Sequence, residues 1–156
     1  MSKWEYGGLY KNHNMEGVID MPNNSKLMVN DLFNGIPDFM TKADTLFVDP
    51  PCSKGNLNSF YYKADKEHVK SKYEIFADAF FSRVIHISPK TVFIEVFKSN
   101  KEYFIDKCRS IFRYVHVYNS TYYHRKDRIC WIIQASNNQF EPYKELEGTD
   151  KEDAIK

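Results

Sequence analysis

The sequence has 156 residues, of which 42% are hydrophobic and 16% aromatic, so it is long enough for one domain with its own core. No apolar run approaches the roughly 20 residues of a membrane span, and no signal-peptide stretch opens the chain, so we expect a cytoplasmic protein without a membrane. Three widely spaced cysteines without CxxC spacing argue against a disulfide scaffold or a zinc site, and we expect no metal. The formal net charge of +1 gives only weak support for a nucleic-acid partner.

The first predicted elements are short. Residues 17–20 predict a brief strand, and the Met-Pro-Asn-Asn sequence of residues 21–24 predicts a turn. Residues 26–29 predict a strand that stops at the polar pair Asn30-Asp31. Asp31 is also a good helix N-cap, which favours a short helix extending to about residue 40.

The middle of the chain predicts a strand, a loop and a long helix. Residues 45–48 form a buried strand that runs directly into Asp49-Pro50-Pro51, where proline ends strand pairing. Residues 52–64 are polar and contain glycine and asparagine, which predicts a loop. Asp65 is a good N-cap for a helix that Ser88-Pro89 ends. The apolar stripe of this helix is Val69, Tyr73, Phe76, Phe80 and Val84, widened by Ala77 and Phe81.

The last third predicts a strand, a helix and a hairpin. Residues 91–97 are strongly β-prone, and Ser99-Asn100 caps the helix that follows. The apolar stripe of that helix is Phe104, Ile105, Cys108, Ile111 and Phe112. Two strands follow, at about residues 114–118 and 129–135, and residues 122–127 form the tip between them.

This order predicts a single α/β domain over residues 1–138, followed by a charged, loose tail over residues 139–156. Strands that alternate with helices predict a mainly parallel sheet with helices on both faces, and the closing hairpin adds an antiparallel pair. Ligands of such sheets bind outside the carboxyl ends of the strands, where Asn30-Asp31 and Asp49-Pro50-Pro51 are expected to lie.

A strand that ends in Asp-Pro-Pro suits one particular chemistry. The exocyclic amine of a nucleobase is a poor nucleophile because its lone pair is delocalised into the ring. A site that uses it must accept hydrogen bonds from both amine hydrogens and turn the nitrogen toward an electrophile. A carboxylate at the end of a strand can supply one acceptor and the backbone carbonyl beside it the other, and two prolines stiffen that carbonyl.

The sequence Thr-Leu-Phe-Val-Asp-Pro-Pro-Cys, residues 45–52, resembles the signature of the N6-adenine and N4-cytosine amino-methyltransferases. In that family a hydrophobic strand precedes Asp/Asn/Ser-Pro-Pro and an aromatic residue, and residues 25–33 resemble its preceding strand. The resemblance covers about residues 17–136. It implies a Rossmann-like methyltransferase fold, in minimal or partial form because no glycine-rich cofactor loop is evident. It also implies S-adenosylmethionine as cofactor and DNA as partner, ahead of RNA or of cytosine as the target base.

The resemblance also implies site residues. Asp49, Pro50, Pro51 and Cys52 would be catalytic, with Cys52 standing where the family has an aromatic residue that stacks on the flipped base. The predicted cofactor contacts are Asn30, Asp31 and Leu32, with Asp20 on the ribose hydroxyls. The predicted substrate contacts are Tyr61 and Tyr62 on the base and His124, Arg125 and Lys126 on phosphate.

Other interpretations of these features remain open. Asp31 is alternatively a helix cap and Asp20 a turn residue. Tyr61 and Tyr62 are alternatively surface or packing aromatics, and residues 124–126 a solvated hairpin tip. The chain is alternatively an inactive methyltransferase-like subunit that binds nucleic acid or a partner. A third hypothesis is an enzyme that acts on S-adenosylmethionine itself or on a free nucleotide. A homodimer or a heteromeric partner would cover the exposed edge of an incomplete sheet.

Overall fold

The computed structural model describes residues 17–63, 72–122 and 125–144. The chain divides into two compact units. The helical unit consists of Met1–Ala43 and Ser53–Ile87, and the sheet unit consists of Asp44–Cys52 and Ser88–Lys156. Within the described ranges, no helix combines the length and the apolar character that a membrane crossing needs.

The helical unit begins with a small hairpin. Strands β1 (Ile19–Met21) and β2 (Ser25–Leu27) pair antiparallel in a separate two-stranded sheet. The predicted turn between them is present, with Asn23 and Asn24 at φ values of 59° and 58°, a left-handed conformation that asparagine tolerates. The strand predicted at residues 26–29 therefore ends earlier, at Leu27, and joins no parallel sheet, because its partner is only a short turn away.

Helix α1 (Lys54–Lys63) occupies a segment that the sequence predicted to be a loop, so that prediction is wrong. The Ser53 hydroxyl accepts a hydrogen bond from the Asn56 backbone N–H at 3.2 Å, as an N-cap does, and Leu57 is buried. Glycine and asparagine lower intrinsic helix propensity, but capping and the burial of Leu57 outweigh this preference.

Helix α2 (Tyr73–Ile87) carries the predicted apolar stripe. Its buried residues are Phe76, Ala77, Phe80, Phe81, Val84 and Ile87. The ring of Phe76 lies edge-on to Phe33, with ring centroids 6.3 Å apart, and Phe33 belongs to the first of two 3₁₀ helices, Leu32–Asn34 and Asp38–Met40. The predicted N-cap Asp65 and the first stripe residue, Val69, lie outside the described residues.

The sheet unit is built from strands β3 (Thr45–Val48), β4 (Thr91–Val96), β5 (Tyr114–Tyr122) and β6 (Arg125–Ser136), with helix α3 (Lys101–Ile111) between β4 and β5. The strand order is β3-β4-β6-β5. Strand β3 is parallel to β4, whereas β6 is antiparallel to both β4 and β5. The closing hairpin is therefore present and longer than predicted.

The prediction of a mainly parallel, Rossmann-like methyltransferase sheet is wrong. The structure has a small α/β arrangement with a mixed sheet, in which one pairing is parallel and two are antiparallel, and its described residues contain three α-helices. Two features cause the difference. Strands β1 and β2 pair with each other, and β6 inserts between β4 and β5, so the predicted parallel contacts do not form.

The two faces of the sheet differ in burial. Along β4, Val92, Ile94 and Val96 are fully buried, and they alternate with half-buried Thr91, Phe93 and Glu95. Helix α3 buries Phe104, Ile105 and Cys108 and packs against β5 and β6. Its Lys101 ammonium lies 4.2 Å from the ring centroid of Trp131, which pairs with Val96 across the sheet.

The predicted tail is described as far as residue 144 and contains no helix or strand in that stretch. The Tyr143 backbone N–H donates to the Tyr118 hydroxyl at 3.0 Å, so this part of the chain is attached to β5. Residues 145–156 lie outside the described residues.

Candidate active site

Asp49 directly follows β3, at the carboxyl end of the parallel β3–β4 pair. Pro50 is buried, and Pro51 and Cys52 are half-buried. The Ser99 hydroxyl, which follows β4, donates to the Cys52 carbonyl at 2.7 Å. This bond joins the two loops that leave the ends of the parallel strands.

Glu95 is the neighbour of Asp49 on the adjacent strand, and the sequence reasoning missed it. Phe47 pairs with Phe93 and Val48 with Ile94, so continuation of this register places Asp49 beside Glu95. Since side chains alternate between faces, Phe47, Asp49 and Glu95 share one face. A signal was available, because glutamate is depleted in strands, yet Glu95 interrupts an otherwise β-prone run.

The electrostatics of the site follow from partial burial and like charge. Asp49 is accessible to solvent, but desolvation by the surrounding chain raises the pKa of its carboxyl. The pKa of Glu95 is raised first by burial and then by the negative charge of Asp49, and a hydrogen bond from Cys130 opposes both effects. Burial is also the main cause that raises the pKa of the Cys130 thiol.

This arrangement has definite chemical capacities. A partly desolvated carboxylate is a stronger hydrogen-bond acceptor than one in bulk water, because fewer water molecules compete for it. Asp49 and Glu95 together provide acceptors for N–H donors and a place to hold a proton at the end of the parallel strand pair. Among the described residues, no group of three or more His, Cys, Asp or Glu side chains is placed to hold a metal ion.

The predicted cofactor residues Asn30, Asp31 and Leu32 lie in the helical unit and are bonded within it. The Asn30 amide donates to the Gly35 carbonyl at 2.7 Å, which closes a small loop. The Asp31 carboxylate caps the following 3₁₀ helix through the Phe33 N–H, 3.0 Å away. The carbonyls of Leu32 and Phe33 accept bonds from the Arg83 guanidinium of α2.

Tyr61, predicted from the resemblance to contact the substrate base, is bonded to Asp31. Its hydroxyl lies 3.0 and 3.1 Å from the two carboxylate oxygens of Asp31. Burial, and then the bond and charge of Asp31, raise the pKa of the Tyr61 hydroxyl. The structure thus brings together a predicted cofactor residue and a predicted substrate residue. In the described contacts they brace the loop at residues 30–35 against α1.

Replacing Tyr61 by phenylalanine is expected to lower the free energy of unfolding by about 1 kcal/mol at neutral pH, because a part-buried hydrogen bond to a carboxylate is lost. The folded pKa of Tyr61 lies above its ordinary value of 10. The bond therefore stabilises fully below about pH 10 and is lost as the pH rises through the folded pKa. Urea unfolding at pH 7 and at increasing alkaline pH measures the difference.

The control for this substitution is Tyr62→Phe, on the same helix, because the Tyr62 side chain is 80% exposed. It is expected to change the free energy of unfolding by less than about 0.5 kcal/mol. Equal effects of the two substitutions would contradict the assigned role of the Tyr61–Asp31 bond.

Asp20 lies in the wall of an open cleft in the helical unit, with a volume of about 520 Å³. The lining residues are Val18, Asp20, Lys26, Met28, Ile36, Pro37, Asp38 and Phe39. Asp20 forms an ion pair with Lys26 at 2.6 Å, but the Asp20 side chain is largely in solvent, so a ligand can compete for the carboxylate at little cost. The size and the mixed lining suit a nucleoside-sized ligand.

The remaining predicted contacts are spread over both units. Tyr62 lies on α1, in the helical unit. Arg125 and Lys126 begin strand β6 in the sheet unit, and His124 lies outside the described residues. Phe47 was not predicted as a site residue, yet its side chain is 69% exposed beside the motif and stacks on Phe93 with a centroid distance of 6.2 Å. The exposure of Phe47 can be recognised only in the structure, because the apolar residues beside it in the sequence predict a buried strand.

No protein-family model matches this sequence, and no curated protein matches it either.

Proposed function

We propose that this chain transfers a methyl group from S-adenosylmethionine to the exocyclic amine of adenine in DNA. The observation that carries the proposal is the Asp49-Pro50-Pro51 motif at the carboxyl end of a parallel strand pair, with a partly desolvated carboxylate that remains accessible. Ligands of parallel strands bind at this end. A carboxylate there has the chemistry that an unreactive amine requires.

The proposed role of Asp49 is to accept a hydrogen bond from the amine through a carboxylate oxygen, with the Pro50 carbonyl as the second acceptor. Both acceptors increase the electron density on the nitrogen and hold it in one orientation. During transfer the nitrogen gains a bond to carbon and loses a proton, which Asp49 receives before solvent takes it. Burial of Pro50 and the Ser99–Cys52 bond keep the motif rigid.

S-adenosylmethionine supplies the electrophilic methyl group, and its sulfur keeps the electron pair of the bond that breaks. In this proposal the cleft of the helical unit is a binding site for the adenosine of S-adenosylmethionine, and it is tested apart from the role of Asp49. The Asp20 carboxylate accepts hydrogen bonds from the ribose hydroxyls, and Met28 and Phe39 form an apolar part of the cleft wall. Calorimetry tests this assignment directly, because Asp20→Ala is expected to weaken cofactor binding about tenfold, the effect of one charge-assisted hydrogen bond.

Phe47 is the proposed aromatic contact for the target base. It would take the role of the aromatic residue that the resembled family has at the position of Cys52. It lies on the same face as Asp49, two residues earlier, and its ring is exposed. Stacking on an aromatic ring contributes about 1–3 kcal/mol per base and does not depend on sequence. The proposed substrate is therefore a base outside the helical stack, in single-stranded or locally opened DNA.

The test is transfer of labelled methyl from S-adenosylmethionine to single-stranded DNA, duplex DNA and RNA, with analysis of the modified nucleoside. The proposal expects N6-methyladenine, formed faster in single-stranded than in duplex DNA. Absence of transfer together with absence of cofactor binding would overturn it. DNA binding without cofactor binding would favour an inactive subunit, and cofactor consumption without nucleic acid would favour an enzyme acting on the cofactor.

A further inference from the structure

The sheet unit presents several aromatic side chains on one face, and the function proposed above uses only one of them, Phe47. We propose that this face binds the single DNA strand that carries the target base, with neighbouring bases on the aromatic rings and phosphates on the cations around β5. The identity of the target base rests on the proposed function, whereas the binding of a single strand to this face does not and is measured separately.

The first support is the strand register, which places aromatic residues in one row. Phe47 of β3 pairs with Phe93 of β4. Gln134 of β6 pairs with Phe93 on one side and with His116 of β5 on the other. Paired residues share a face, so the row crosses all four strands. At the usual strand spacing its ends lie about 14 Å apart, whereas successive stacked bases are about 3.4 Å apart, so the row has room for more than one nucleotide.

The second support is the arrangement of the rings at the two ends of this row. At the β3 end, Phe47 and Phe93 are stacked with an angle of 28° between their planes. At the β5 end, His116 lies edge-on to Tyr118 with a centroid distance of 4.5 Å. Tyr143, which is 69% exposed, lies 6.2 Å from Tyr118 and extends the group. These five residues form the aromatic face, and their rings offer the flat surfaces on which bases of any sequence stack.

The third support is that α3 packs on the opposite face of the sheet. Lys101 of α3 lies over the ring of Trp131, and Trp131 shares a face with its partner Val96. Val96 and Phe93 are three positions apart on β4, so they project from opposite faces. The aromatic face is therefore the one that α3 does not occupy, and Phe47 is largely exposed there.

The fourth support is charge. The described residues of the sheet unit contain ten Lys and Arg and seven Asp and Glu. The exposed Arg113 directly precedes β5, and its guanidinium lies 5.6 Å from the ring centroid of Tyr114, which shares a face with His116. Lys144 is also exposed, and Arg125 begins β6 beside the end of β5. Cations at this edge attract the phosphates of a single strand, whereas they repel a second copy of the same face.

The first experiment is a titration of a short, dye-labelled, single-stranded DNA with the full chain, without cofactor, followed by fluorescence anisotropy. Phe47→Ala and Tyr143→Ala are each expected to weaken binding about 5- to 150-fold, the effect of losing one stacked ring. Phe47→Tyr is expected to bind like the wild type. Phe47→Leu is expected to bind like Phe47→Ala, because leucine keeps apolar area but has no ring.

The second experiment repeats the titration at several salt concentrations. Arg113→Ala is expected to reduce the slope of log K against log salt by about 0.7, the value for one phosphate contact on a single strand. Phe47→Ala is expected to leave the slope unchanged, because a ring neutralises no phosphate. The controls are Arg109→Ala, an exposed arginine on α3, and Phe60→Ala, a phenylalanine on α1 that is 44% exposed. Both are expected to bind like the wild type.

Equal binding by the wild type and Phe47→Leu, or equal losses in Phe47→Ala and Phe60→Ala, would overturn the inference. A dimer of the chain alone that Phe47→Ala dissociates, measured by sedimentation, would also overturn it, because the face would then join two copies. Single-strand binding through this face without methyl transfer would refute the proposed function and leave the inference intact. Methyl transfer whose KM is unchanged in Tyr143→Ala and Arg113→Ala would do the reverse.

Discussion

Asp49→Ala is expected to lower kcat for methyl transfer about 100- to 1,000-fold, the effect of removing one preorganised hydrogen-bonding group from a transition state. The loss should fall on kcat more than on KM, because the acceptor acts on charge that develops only as the nitrogen becomes bonded to carbon. Asp49→Asn should lose less, since an amide oxygen still accepts one hydrogen bond. Labelled-methyl kinetics with single-stranded DNA measure all three proteins.

The control for Asp49 lies at the opposite end of the same strand. Asp44 precedes β3, its carboxylate pairs with Lys90 at 3.2 Å, and its side chain is largely exposed. Asp44→Ala leaves intact the Asp44 backbone carbonyl that accepts from the Lys90 and Thr91 N–H groups. It is expected to change transfer by less than twofold. An Asp49→Ala variant as active as Asp44→Ala would remove Asp49 from the reaction.

Phe104→Ala is expected to lower the free energy of unfolding of the sheet unit by about 3–5 kcal/mol. Phe104 on α3 is fully buried, so truncation removes apolar contacts and leaves a cavity that the sheet cannot fill. Total stabilities of small domains are only about 5–15 kcal/mol, so the variant is expected to unfold at a much lower urea concentration. Circular dichroism during urea titration measures the midpoint.

Phe47→Ala provides the matched comparison, because it removes the same side chain from an exposed position in the same unit. We expect it to cost less than about 1 kcal/mol. Similar losses for the two variants would mean that Phe47 is buried in solution or that Phe104 does not belong to the core.

The elements that could be predicted are those in which the residue pattern over a few positions matches the burial of the same residues in the structure. The apolar run of β3 is followed by Asp49 and Pro50, and proline ends strand pairing because it cannot donate to a sheet. The structure ends the strand at Val48. The stripe that begins at Phe104 repeats at helical spacing, and α3 buries its first three members. Both patterns are decided within a few residues of the chain.

The elements that could not be predicted depend on distant partners. Helix α1 forms from residues of low helix propensity because Ser53 caps it and Leu57 is buried. The position of β6 between β4 and β5 is also invisible in the alternation of its side chains, since periodicity does not say which strands are neighbours in a sheet. The predicted mainly parallel sheet was wrong because β6 takes this position and because β1 and β2 pair with each other.

The sequence by itself determined the Asp49-Pro50-Pro51 motif, the strand before it and the apolar stripes of α2 and α3, because proline geometry and periodic burial act locally. Only the tertiary structure decided that the neighbour of Asp49 is Glu95, that Cys130 holds this glutamate, and that Tyr61 bonds to Asp31. These pairs are separated by 30 to 46 residues along the chain. Strand register and helix packing, which no local pattern encodes, bring them together.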